Sequence, residues 1–81
     1  MTPDLAAYGT AEKPWLRPDG SIIACVEKLK VLRENLEELR ADSLAALEDA
    51  VLIGCCEQQF KQALFDMISG LATGYGQADA G

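Results

Sequence analysis

From Ile22 to Ile53, apolar or small residues recur at alternating spacings of three and four: Ile22, Cys25, Leu29, Leu32, Leu36, Leu39, Ser43, Ala46, Ala50, Ile53. That alternation is a heptad seam, the pattern of a helix that lays one stripe against a neighbour along its length. Neither proline nor glycine interrupts residues 22–53, so the pattern predicts one long helix of about 48 Å, at about 1.5 Å per residue. Asp42 and Ser43, in the stretch RADSL, are both capping residues and mark the place where a break into shorter helices would fall. Without a helix breaker there, the continuous helix is the preferred reading.

Gly54 follows the last periodic residue, where a left-handed cap is wanted and glycine adopts it with least strain. Phe60, Ala63, Leu64, Met67, Ile68 and Leu71 then form a second amphipathic stripe, which predicts a short helix over about 57–71. Glu57 stands at the positive end of its dipole. A connection of two or three residues forces the two helices into an antiparallel hairpin. The long helix also carries Leu44, Leu47 and Val51 beside its seam, a second stripe that implies a second neighbour.

The two predicted helices are unequal, and the inequality bears on assembly. The short helix reaches back to about residue 39, which leaves Ile22, Cys25, Leu29, Leu32 and Leu36 facing water over about 25 Å. A soluble monomer rarely tolerates such a strip. A homodimer that buries Ile22, Cys25, Leu29, Leu32, Leu36 and Leu39 answers the problem. In a parallel pair Lys28 would face Arg33 of its partner, whereas an antiparallel pair brings Lys28 toward Asp49 and Asn35 toward Asp42. The expected architecture is therefore all-α: a helical hairpin assembled into an antiparallel dimeric bundle.

The remainder of the chain lacks periodicity. Residues 1–20 hold all three prolines and read as a flexible arm, residues 21–71 as the hairpin domain, and residues 72–81 as a disordered tail. Pro18, Asp19 and Gly20 make a turn into the long helix, with Ser21 the preferred N-cap and Asp19 the alternative. Within KPWLRPDG, the single tryptophan has two readings. Trp15 folds over the helix start near Ile22 and Ile23, or Trp15, Leu16 and Arg17 form a short linear anchor for another protein.

Composition narrows the partners. The 81 residues suffice for one small domain, and a net charge of −6 with no basic patch disfavours nucleic acid and anionic lipid. No stretch approaches the roughly 18 apolar residues of a membrane span, and the N-terminus lacks the basic and apolar regions of a secretory signal. LIGC at 52–55 has the look of a lipobox but follows the charged ALEDA and lies deep in the chain. Three cysteines without such a signal suit reduced thiols in the cytoplasm.

Candidate chemistry centres on those cysteines. With no histidine and no CxxC, neither a zinc nor an iron–sulfur ligand set is available, and no cofactor is expected. Cys55 and Cys56 are adjacent, with Cα atoms about 3.8 Å apart, below the usual disulfide span. The absence of histidine also removes His-based triads and HExxH motifs. Glu27, Glu34, Glu37, Glu38, Glu48 and Asp49 lie mostly off the seam, as a solvated face with pairs such as Lys30–Glu34 and Arg33–Glu37. The reading is a non-enzymatic protein–protein interaction module, an adaptor, assembly factor or regulator. The alternative is a thiol-based redox or metal sensor that uses Cys55 and Cys56.

Overall fold

The computed structural model describes residues 5–75, with a short 3-10 turn at Leu5–Ala7, helix α1 at Val26–Leu52 and helix α2 at Glu57–Ser69. The chain divides into two compact units, one reaching to Glu37 and the other spanning Glu38–Tyr75. Residues 1–4 of the expected arm and 76–81 of the expected tail lie outside the described part.

In the first unit α1 begins at Val26 rather than at Ile22, and local hydrogen bonds explain the delay. The Asp19 carboxylate accepts the Ser21 amide at 2.9 Å and the Ser21 hydroxyl at 2.7 Å, so both expected caps are spent on each other in an Asx-type turn. The Arg17 amide donates to the Ser21 carbonyl at 2.8 Å, and the Ile23 amide donates to the Trp15 carbonyl at 2.9 Å. These bonds hold Leu16 and Ile22 in an antiparallel bridge. Extended backbone then runs on to Cys25, whose carbonyl accepts the first helical bond from Leu29 at 3.0 Å. Cys25, not Ser21 or Asp19, therefore occupies the N-cap position of α1.

The residues before this bridge have local order that periodicity could not reveal. The Gly9 amide donates to the Lys13 carbonyl at 2.8 Å. Across that turn the Tyr8 and Trp15 rings stack with centroids 4.8 Å apart, and the Lys13 ammonium sits 4.3 Å above Tyr8. Gly9 has φ +90°, and a β-carbon built there would lie 3.4 Å from Trp15 Cδ1 and 3.9 Å from Leu29 Cδ2. The turn thus closes against both Trp15 and α1, and Tyr8, Gly9, Trp15 and Leu29 are all half-buried.

In the second unit α1 continues through residues 40–44 without a break. It ends at Leu52, and Gly54 beyond it has φ +95°. The Gly54 amide donates to the Val51 carbonyl at 3.0 Å and the Cys55 amide to the Ala50 carbonyl at 2.9 Å, the paired bonds of a Schellman cap. The stop predicted at Gly54 is thereby present, and the two-helix hairpin with it. Helix α2 closes one residue beyond Ser69, where the Gly70 amide donates to the Asp66 carbonyl at 3.1 Å, so Leu71 lies past the helix. Lys61 and Glu57 form an i,i+4 ion pair at 3.4 Å. Among the described residues the expected Lys30–Glu34 and Arg33–Glu37 pairs do not close to ion-pair distance, a loss of about 0.2–0.5 kcal/mol each.

The core of this unit is thin. Ala50 is the buried hydrophobic residue among those described, with Ser43, Ala46 and Leu47 half-buried on α1 and Phe60 and Leu64 half-buried on α2. Those positions mark the faces that the two helices turn toward each other. No helix among the described residues is long and apolar enough to cross a membrane.

Candidate interaction surfaces and thiols

The six seam residues fall into different environments. Leu29, Leu32 and Leu36 are half-buried within the chain, Leu29 lying beside the Gly9–Trp15 turn. Ile22 and Cys25 are exposed and stand before α1, not on it, so neither is a heptad position of that helix. Leu39 is on α1 and 60% exposed. The strip expected to face water is therefore partly covered by the chain's own N-terminal turn.

Larger apolar side chains remain open elsewhere. Leu44 and Val51 on α1 are each 45% exposed, Ile53 at the hairpin turn is 85% exposed, and Phe65 on α2 is 65% exposed. Phe65 was not part of the predicted stripe, because it follows Leu64 and so lies about 100° around the helix from it. Nothing in the spacing could have marked it. Leu44 and Val51 belong to the second stripe visible in the sequence.

Of the residues proposed as a linear anchor, Trp15 is half-buried against Tyr8, whereas Leu16 and Arg17 are exposed. The Arg17 guanidinium donates to the Ile22 carbonyl at 2.7 Å and to the Ser21 hydroxyl at 3.4 Å. Arg17 thus holds the turn that carries it, while Leu16 pairs with Ile22.

The three cysteines are free and differ in environment. Cys25 is exposed, and the backbone amides of Lys28 and then Glu27 hydrogen-bond its sulfur, which lowers its pKa below the ordinary thiol value. The charges of Lys28 and Arg17 act in the same direction, against a smaller opposing effect of desolvation than that of the amide bonds. This is the electrostatics of a helix N-terminus acting on a thiolate. The sequence pointed instead to Cys55 and Cys56, because the predicted helix start placed Cys25 inside α1, away from free amides. Cys55 is half-buried with its sulfur 3.6 Å from the Cys56 carbonyl. Cys56 precedes α2 and makes no side-chain capping bond. Among the described residues no three histidine, cysteine, aspartate or glutamate side chains converge in a way that could hold a metal ion.

Compared with protein-family models, with curated proteins and with solved structures, the chain matches none.

Proposed function

We propose that the chain is a small non-enzymatic interaction module of the cytoplasm, an adaptor, assembly factor or regulator, that acts as a dimeric helical bundle. The observation that carries this reading is the distribution of apolar burial. Among the described residues Ala50 is the buried hydrophobic one, while Leu39, Leu44, Val51, Phe65, Met67 and Ile68 all stand exposed on α1 and α2. Such helices gain most of their stability from packing an apolar face, and propensity contributes little by comparison. At this chain length burial and conformational entropy nearly cancel, so the apolar surface left open is the surface that a partner stabilises. A second copy supplies that partner without an additional component, and the exposed seam residue Leu39 adds to the open surface of this unit.

Light scattering at micromolar concentration is expected to give about twice the 8.7 kDa chain mass, with a melting temperature that rises with protein concentration, as mass action requires. A folded 8.7 kDa species whose melting does not depend on concentration would overturn the dimer.

A further inference from the structure

We infer that the second copy docks on the α1 face that exposes Leu44 and Val51, antiparallel, about a two-fold axis at Leu44 that pairs Arg40 of each copy with Glu48 of the other. The inference rests on the dimer reading and adds to it the face and the direction. Leu44 follows Ser43 and so lies about 100° around the helix from the seam. The seam face of this unit is turned toward α2, where Ser43, Ala46 and the neighbouring Leu47 are half-buried and Ala50 is buried. Leu44 and Val51 are each left 45% exposed.

Arg40, Leu44 and Glu48 are spaced by four and form one ridge of the helix surface, the type of ridge that interlocks with its equal across a helix pair. Arg40 and Glu48 are exposed, and the ion pair formed among the described residues is Lys61–Glu57, so both charges are open to a partner. With the axis at Leu44, facing residue numbers sum to about 88, by the register of an antiparallel pair. Arg40 then meets Glu48 twice, once on each side of the axis. The half-buried Leu47 meets Ala41, a large side chain against a small one, and Val51 meets Glu37. A parallel pair on the same face would set Arg40 against Arg40 and Glu48 against Glu48, two like-charge contacts in place of two opposite ones. Charge therefore selects the antiparallel arrangement.

The test is the dimer dissociation constant of the full chain and its R40E, E48R and R40E/E48R variants, by analytical ultracentrifugation, with helix content checked by circular dichroism. Both positions are exposed, so the hairpin is expected to keep its helicity. Each single reversal turns two attractive contacts into two repulsive ones, which should weaken dimerisation roughly tenfold to a hundredfold. The double reversal should restore it. Single variants that dimerise like the wild type, or a double variant that stays weakened, overturn the Leu44 face while the wild-type dimer keeps the broader reading intact. A wild-type chain that is monomeric overturns both. A second measurement does not depend on charge. In a chain with all three cysteines replaced by serine, R40C mixed with E48C under glutathione disulfide should give the 40–48 link, whereas R40C alone should give little dimer. A dominant 40–40 link would overturn the antiparallel register.

Discussion

Gly54→Ala isolates what the hairpin turn requires of its backbone. Gly54 has φ +95° and a built β-carbon meets nothing within 4 Å, so the substitution causes no clash and forms no new contact. An L-residue held in the left-handed region is destabilised by about 1–2 kcal/mol. Removing a glycine from the unfolded chain offsets part of that, about 0.4–1 kcal/mol. The net expected loss is on the order of 1 kcal/mol. Escape from the strain is closed off by the cap itself. A shift of residue 54 out of the left-handed region would break the bonds Gly54 N–H to Val51 and Cys55 N–H to Ala50, at roughly 0.5–1.5 kcal/mol each. Thermal unfolding followed by circular dichroism, at one protein concentration because association contributes, should show a fall in Tm of about 4–8 °C. A chemically synthesised chain with D-alanine at 54 should instead match or exceed the wild type, since the mirror-image residue favours positive φ. Equal stability of the L- and D-alanine chains would refute the reasoning.

The other expectations follow from the first unit. Tyr8→Ala should lower stability by about 0.5–1.5 kcal/mol through loss of the stacked pair and shift Trp15 emission to longer wavelength; unchanged emission would show that the 4.8 Å stack is not maintained in solution. Gly9→Ala should be more damaging than Gly54→Ala, because its added methyl meets Trp15 as well as requiring positive φ, and comparison of the two melting curves decides it. Iodoacetamide should alkylate Cys25 with a pH midpoint displaced below that of an unstructured peptide thiol, since the amides of Lys28 and Glu27 lower the pKa of Cys25. A depressed thiol pKa stabilises the folded state above the ordinary thiol value, and that stabilisation is lost as pH falls through the lowered value. Wild type should accordingly gain stability over Cys25→Ala as pH rises through the thiol range, and an alkylation profile of Cys25 identical to that of the same thiol in the unfolded chain would contradict the capping geometry.

The legible part of this fold is the part governed by repetition and by single backbone requirements. The three-and-four spacing identified α1, the offset of Phe60 and Leu64 identified α2, and Gly54 between them identified the turn, because each signal acts within one or two helical turns. The start of α1 was missed for a comparable reason. Ile22 and Cys25 fit the seam spacing, but spacing is only permissive, and the outcome was decided by competition with nonperiodic bonds: Asp19 to Ser21, Leu16 to Ile22, Ile23 to Trp15. Four residues of displacement at the start of α1 were enough to move Cys25 from the interior of a predicted helix to its N-cap. That displacement hid the helix-start position of Cys25, whose pKa is lowered there. The Tyr8–Trp15 stack was half visible, in that one reading folded Trp15 back on the chain, but its partner could not be named without the turn at Gly9.

The two stripes on α1 carry a division of labour that connects the hairpin to its assembly. Toward α2 the helix offers mostly small residues, Ser43, Ala46 and Ala50, with Leu47, and on the adjoining side it leaves the larger Leu44 and Val51 exposed. Small residues permit close approach of the two helices but bury little area, and apolar stabilisation scales with area at about 25 cal/mol per Å². Here Leu44 and Val51 are left open on the outside, so if the proposed dimer forms on them, hairpin stability and association are linked by mass action. The same arrangement explains why Ala50 can be the buried residue of a helix pair that nevertheless leaves Leu44 and Val51 exposed: under the proposed dimer the core would be completed between chains, with Arg40 and Glu48 setting the direction in which they meet.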